Sequence, residues 1–351
     1  MRFALSLLLF LQGWLYAVQT DYDVAIVGTS PISMLEAIYH LCKNERVLIL
    51  EADERCGGAW KTIDICGVAH VDLGCHLIGS DLRVKEFFER YFGCMFVCLE
   101  HPDQEVVGPH SGCPKGYYFS EGCYELISHL QAVIQSHAHA LLLHRKLESI
   151  FIDSSRDLIE LCLGDIHCTT ARLILTPYTQ FRVENPSFIN QEPRVHRFFH
   201  LYFLVEDEEP YHFTHLHTVI PGMSRAMNLT PFLKLPKGLQ LIVIQTQGEN
   251  ELHNVRKFFH SLMDQNYLSS KAKILASDTY VYPQSHINIA AISHVGGSLV
   301  EVLETASFAG MIKYLDKWKS AMIPFQGSEE GKEDLQNVSL IRNRESKEMI
   351  K

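Results

Sequence analysis

An α/β fold in two parts is what this sequence predicts, and three observations carry the prediction. Residues 23–76 read as an apolar strand, a small-residue turn, a helix and a second apolar strand ending in an acid. That is the order of a βαβ unit. A helical stretch and a run of apolar strands between residues 122 and 177 then return the chain to a sheet of the same kind. Residues 181–284 hold further strands, set apart by Pro221-Gly222 and Pro236-Lys237-Gly238, with one helical stretch. This reads as a separate, mainly antiparallel α+β part.

Each piece of the first unit has a mechanical reason. Val24 to Val27 is a continuous apolar run, expected of a strand covered on both faces. Gly28 turns the chain sharply because it carries no Cβ. A helix expected over about residues 33–42 would aim its unpaired N–H groups at a pyrophosphate. Glu51 ends the second strand, 23 residues after Gly28. A carboxylate there can accept both hydroxyls of an adenosine ribose. The turn departs from Gly-x-Gly-x-x-Gly: Ser30 and Ser33 take the second and third places, with Pro31 between them. The second glycine normally admits the phosphate to the backbone, and the third lets helix and strand pack closely. Serine is the smallest polar replacement for either.

The next residues carry a resemblance. Glu51-Ala52-Asp53-Glu54-Arg55-Cys56-Gly57-Gly58-Ala59-Trp60-Lys61-Thr62 resembles the segment after the second strand in the FAD-dependent amine oxidase, protoporphyrinogen oxidase and UDP-galactopyranose mutase group. There the paired glycines pass close to the flavin and pyrophosphate. Gly67-x4-Asp72-x-Gly74-x-His76 is similar to the following strand and turn. The group often has an arginine at the place of Ala59, so a cationic contact to phosphate falls here to Lys61. Farther on, the helix near Gly122 and the strands from Ala140 to Pro177, with Leu147 at the adenine strand, keep the group's order.

Ser285 to Leu299 is expected to be a strand and a glycine turn, leading to a helix that runs to about Trp318. Gly296, Gly297 and Ser298 would then form a second helix N-terminus facing the cofactor. In the group this closing strand usually ends in Gly-Asp or Gly-Glu; here Ser293-His294 stands there.

The resemblance implies a Rossmann-like FAD-binding domain made of residues 21–86, 120–180 and 285–322, with residues 87–119 and 181–284 as the substrate domain. The cofactor implied is FAD. The residues implied to hold it are Gly28, Ser30, Pro31, Ser33, Glu51, Ala52, Gly57, Gly58, Ala59, Trp60, Lys61, Gly74, His76, Leu147, Gly296, Gly297 and Ser298. His76, near the expected flavin face, is the candidate catalytic residue; its plainer reading is a turn histidine bonded to backbone. The function implied is hydride transfer from a small-molecule substrate to flavin N5. The alternative is a non-catalytic binding protein that keeps the fold without FAD. An NAD(P)-dependent enzyme is a third reading, which the paired glycines and the split order fit less well.

Composition bounds the rest. The chain has 351 residues, 47% hydrophobic and 21% charged, with a net charge of −10. An acidic chain without a dominant basic stretch is not expected to bind nucleic acid. Residues 1–20 carry one positive charge and an apolar run from Phe3 to Ala17. That pattern suits a secretory signal peptide or an uncleaved anchor, and is short for a membrane span. It suggests the secretory pathway, an extracellular or membrane-associated place, with the cytoplasm as alternative. The ten cysteines fall between Cys42 and Cys168; Cys94 with Cys98, and Cys113 with Cys123, are candidate pairs. Asn228 and Asn337 head glycosylation patterns. His215 and His217 share one strand face, where a polar-face role is favoured over a metal site because no nearby carboxylate completes a ligand set. Residues 326–351 are charged, poor in apolar groups and expected to be disordered.

Overall fold

The computed structural model describes residues 20–73, 82–100, 115–120, 122–176, 179–186, 188–190, 194–209, 215–217, 222–246, 255–286, 289–303 and 311–327. Strand β1 (Tyr22–Val27) leads into helix α1 (Pro31–Leu41) and then β2 (Val47–Leu50). Pro31 opens α1, where a missing N–H costs nothing. After a turn at Gly58–Trp60, β3 (Thr62–Ile65) and β4 (Val68–Asp72) form a hairpin. Next come α2 (Leu82–Phe92), the hairpin of β5 (Phe96–Glu100) and β6 (Lys115–Phe119), α3 (Gly122–Ser136) and β7 (Ala140–Leu143). A meander of β8 (Ser149–Asp153) and β9 (Leu158–Cys162) runs into β10 (His167–Leu175) and the short β11 (Arg182–Val183).

The second sheet holds β12 (Arg194–Glu206), β13 (His215–His217), β14 (Met223–Asn228) and β15 (Leu239–Thr246). After α4 (Val255–Asp264) it gains β16 (Lys273–His286). The chain returns through α5 (Ile289–Gly296), β17 (Val300–Val302) and α6 (Leu315–Gly327).

In space the parallel strands run β17-β10-β1-β2-β7. The order reverses beside β1, which makes the carboxyl ends of β1 and β10 the topological switch point where α/β sheets bind ligands. Alternation along each strand feeds two cores. Val24, Ile26, Val47 and Ile49 pack under α1, α2, α3 and α6. Ala25, Val27, Leu48 and Leu50 pack on the other face with Leu147, Ile150, Ile152 and Ile292. Covering on both faces explains why β1 and β2 are unbroken apolar runs. The α2 helix crosses the division expected at residue 87, and Phe87, Phe88, Tyr91 and Phe92 are all buried in the first core.

The antiparallel sheet has the order β13-β14-β15-β12-β16. Its outer face packs on α4 through Leu201, Phe203, Ile242 and Ile244. Its inner face meets the β3–β4 hairpin and β6 through Tyr202, Met227, Val243, Ile65, Val71 and Tyr118. Tyr118 stacks on Phe232 with ring centroids 3.8 Å apart.

Several expectations are corrected. At the end of the run of strands expected up to Pro177, His167–Thr169 and Arg172–Pro177 read as two strands in the sequence, but His167–Leu175 is one continuous strand, β10. It pairs antiparallel with β9 in its first half and parallel with β17 in its second. The 14-residue β16, unread in the sequence, lies at the sheet edge. Residues 289–296, read as a strand, are helix α5, and the closing parallel strand is β17. An apolar run this short does not separate helix from strand by periodicity.

Cys98 is an exposed free thiol, so Cys94 and Cys98 do not form the expected pair; the other expected pair, Cys113 with Cys123, has one member outside the described residues. Asn228 is fully buried, with its amide bonded to Gln240 and its carbonyl to the Thr230 N–H, which closes it to glycosylation in the folded chain. The leader, Cys113, Asn337 and residues 328–351 lie outside the described residues. Among those described, no helix is long and apolar enough to cross a membrane.

Candidate functional site

The switch point is built from three turns. Gly28 follows β1 with φ +94° and donates its N–H to Leu50 at 2.7 Å; a positive φ of this kind favours glycine. Thr29, fully buried, donates its N–H to Glu51 Oε2 at 3.1 Å and its hydroxyl to the same oxygen. The Thr29 Oγ1 also accepts the Gly57 N–H at 2.9 Å. Glu51 Oε1 accepts the Asp53 N–H at 2.9 Å. One threonine therefore ties together the first turn, the acid at the end of β2 and the paired-glycine turn. Gly57 has φ +117°, and a Cβ there would meet Lys61 N at 2.8 Å. A Cβ on Gly58 would lie 3.7 Å from Ser30 N, so the paired glycines lie against the β1–α1 turn. Thr29 went unread in the sequence; its signal was a hydroxyl in the turn one strand away from an acid.

Ser30 is the N-cap of α1, with φ −58° and ψ 155°. Any L residue adopts that conformation, so the fold does not require glycine there. The Ser30 Oγ accepts the Ser33 N–H at 3.3 Å and lies 2.9 Å from the Ser33 Oγ. Ser30 thus caps the helix, with Ser33 giving the N–H it accepts. Lys61, buried, pairs with Asp53 and lies 5.4 Å from the Tyr280 ring centroid. Burial works against its charge, but Asp53 and the Tyr280 phenol outweigh burial and hold its pKa above the ordinary lysine value. Burial pushes the Cys56 thiol up to about 11, which leaves it a poor nucleophile.

No protein-family profile matches the chain, and no curated protein matches its sequence. Solved structures do match. Cyclohexylamine oxidase from Brevibacterium oxydans IH-35A aligns over 91% of this chain and 100% of its own, with 11% identity and a TM-score of 0.59. A candidate protoporphyrinogen oxidase from Exiguobacterium sp. 255-15 aligns over 92% and 99%, with 9% identity and a TM-score of 0.57. Reduced UDP-galactopyranose mutase aligns over 87% of each chain, with 12% identity and a TM-score of 0.55. The fold is that of the amine-oxidase flavoprotein group.

Against this flavoprotein fold the remaining expected residues sort clearly. Gly28, Ser30, Pro31, Ser33, Glu51, Gly57 and Gly58 converge at the switch point. Ala52 is exposed beside them, while Ala59 and Trp60 turn into the first core. Leu147 is buried in the second core. Gly74 and His76 lie outside the described residues. Gly296, Gly297 and Ser298 are not brought to the switch point. They precede β17, and Gly296 packs so tightly that a Cβ would meet Val300 Cγ2 at 2.3 Å. At the carboxyl edge Val302 pairs with Leu175. Ser293-His294 lies within α5, ahead of the closing strand. In the sequence the acid just past that strand is Glu304, two residues after Val302 and outside the described residues.

A second acid was missed. Asp72, at the end of β4, is buried, and both its oxygens accept the Cys123 N–H at the start of α3, at 3.0 and 3.2 Å. Gly122 has φ +71°, and a Cβ there would sit 3.3 Å from either Asp72 oxygen. Burial pushes the Asp72 pKa up to about 7, against the pull of the Cys123 N–H. The Tyr202 hydroxyl donates to the Asp72 carbonyl at 3.3 Å, linking the second sheet to this corner. Among the described residues no group of three or more His, Cys, Asp or Glu side chains could hold a metal ion.

Proposed function

We propose that this chain is an FAD-dependent oxidoreductase that takes a hydride from a small-molecule substrate to flavin N5. The observation that carries the reading is the convergence of the Gly28 turn, Glu51 and the Gly57-Gly58 turn at the switch point of the parallel sheet. The residues fit the nucleotide half of FAD. Glu51 would take the adenosine ribose, the α1 N-terminus would meet the pyrophosphate, and the two glycines leave backbone where a Cβ would intrude. FAD, when bound, would supply the electron sink for hydride abstraction. The chain's own part is to orient the cofactor and to shield it under the second sheet. His76 remains the candidate reacting histidine.

Titration of FAD into the purified full chain, followed by visible absorption after gel filtration, tests the reading. A retained flavin spectrum that Glu51→Gln abolishes is the expected result. A folded, colourless chain would overturn it.

One set of observations favours a second reading, a binding protein that has lost FAD. Ser30 and Ser33 bond each other through their hydroxyls, Asp53 holds Lys61, and Thr29 holds Glu51, so the site is satisfied by its own side chains. The apolar leader supports entry into the secretory pathway, with residues 1–20 as a candidate membrane attachment. Failure of the chain to enter microsomes during synthesis in vitro would remove that part.

A further inference from the structure

Glu51 carries hydrogen bonds from its own chain on both carboxylate oxygens. A carboxylate offers about four acceptor positions, two on each oxygen. Its Oε2 accepts the Thr29 N–H at 3.1 Å and the Thr29 hydroxyl as well. Its Oε1 accepts the Asp53 N–H at 2.9 Å. Among the described residues that leaves one position, on Oε1, for a ligand. Asp53, the next acid along the turn, is paired with Lys61 and offers no ready substitute.

Thr29 is not free to give these bonds up. It is fully buried and Glu51 is only 7% exposed, so water does not reach the hydroxyl to replace the carboxylate. The hydroxyl oxygen is fixed from its other side, because it accepts the Gly57 N–H at 2.9 Å. Gly57 in turn sits at φ +117°, with Lys61 N 2.8 Å from the place of a Cβ. Turning the hydroxyl proton away from Glu51 would leave a buried O–H unpaired, which costs more than one ligand hydroxyl bond returns. An adenosine ribose brings two hydroxyl donors to an acid in this place. Glu51, as Thr29 holds it, has room for one.

We infer that Thr29 is a specificity-determining residue: by occupying one oxygen of Glu51 it reduces ribose recognition from two hydroxyls to one, so that an adenosine nucleotide lacking the other hydroxyl binds as well as the full ribonucleotide. The inference rests on the proposed function for the presence of an adenosine ribose at Glu51; the occupied oxygen itself stands on the bonds from Thr29 and Asp53.

The test is calorimetric titration of the full chain, cleared of any bound flavin, with ADP, 2′-deoxy-ADP and 3′-deoxy-ADP. One deoxy form should match ADP within about twofold, and the other should bind about tenfold more weakly, the value of one hydrogen bond to a charged acceptor. Thr29→Ala removes the hydroxyl and the methyl, which frees the second oxygen and gives the carboxylate space to turn. Both deoxy forms should then fall about tenfold behind ADP. Thr29→Ser keeps the hydroxyl and should keep the wild-type pattern. A purely structural role for Thr29 would change all three affinities together and leave their ratios alone. Both deoxy forms weakened in the wild-type chain, both matching ADP, no binding of ADP, or unchanged ratios in Thr29→Ala would each overturn the inference. If Thr29→Ala fails to fold, the wild-type and Thr29→Ser titrations still decide between one hydroxyl and two. The expected ADP pattern with no uptake of FAD would sink the oxidoreductase reading and leave this one standing; uptake of FAD with both deoxy forms weakened would do the reverse.

Discussion

At the residue scale, the serines of the first turn separate what the fold needs from what a ligand needs. Ser30 sits at a negative φ and caps α1, so glycine in its place would matter mainly to a phosphate. Ser30→Gly should therefore leave the melting temperature nearly unchanged, because glycine caps only a few tenths of a kcal/mol worse. It should tighten FAD binding several-fold by fluorescence titration; weaker binding would mean that the hydroxyl is itself a ligand. Gly57 is the opposite case. Gly57→Ala adds a Cβ 2.8 Å from the Lys61 N at φ +117°, and the strain should cost about 1–3 kcal/mol, read as a lower denaturant midpoint.

Asp72 makes a pH prediction. Its folded pKa, about 7, lies above the ordinary aspartate value of 3.8. Its contribution is therefore fully present below about pH 4 and lost as pH rises through 7. Asp72→Asn keeps an acceptor for the Cys123 N–H and removes the buried charge. It should raise stability at pH 8 by on the order of a few kcal/mol and change little at pH 4. Denaturation midpoints at the two pH values check this. An equal shift at both would show that burial does not govern Asp72.

At the element scale, α1 is held by a buried acid as well as by its apolar face. Glu36, fully buried on α1, accepts the Trp318 Nε1–H of α6 at 2.9 Å and pairs with Lys317, while His40 lies 3.2 Å away. Burial pushes the Glu36 pKa up, but bonds from His40, Lys317 and Trp318 outweigh it, and the net shift is downward. That stability is present above the ordinary glutamate range and is lost as pH falls through the lowered value, the reverse of Asp72. Lys317→Met leaves the buried charge with fewer partners. It should cost about 2 kcal/mol, less than a fully buried pair because Lys317 is partly exposed. Glu36 sits among apolar neighbours in α1, and nothing in its local pattern announced a partner on α6, 281 positions away.

At the scale of the whole molecule, the antiparallel sheet shares a core with the two hairpins that the first domain sends out. Tyr118, Tyr202 and Phe232 come from the β6 hairpin, β12 and the turn after β14, and pack with Ile65 and Val71 of the β3–β4 hairpin. Removing Phe232 as Phe232→Ala should cost about 3 kcal/mol or more. It should lower one shared thermal transition by calorimetry, since the cavity opens between the antiparallel sheet and the hairpins packed on it. Two separate transitions in the wild-type chain would show that the antiparallel sheet unfolds independently of the domain that carries the hairpins.

How much of this was legible depends on range. The β1–α1–β2 unit, its glycine turn and the acid at residue 51 were readable because strand period, turn conformation and capping are set by neighbours within a few residues. The place of the closing strand was not. The short apolar run of α5 suits either structure, and β17 is a strand because Leu173 to Leu175 offer it a parallel edge. The β16 strand mixes polar and apolar residues and is defined by its pairing with β12. By itself, then, the sequence determined the fold class, the dinucleotide-type turn and most of the strands and helices. Only the tertiary structure decided that Thr29 joins three turns, that it occupies one oxygen of Glu51 and that Asp72 caps α3. Those contacts join residues far apart in the chain, and burial and register, which local pattern does not encode, select them.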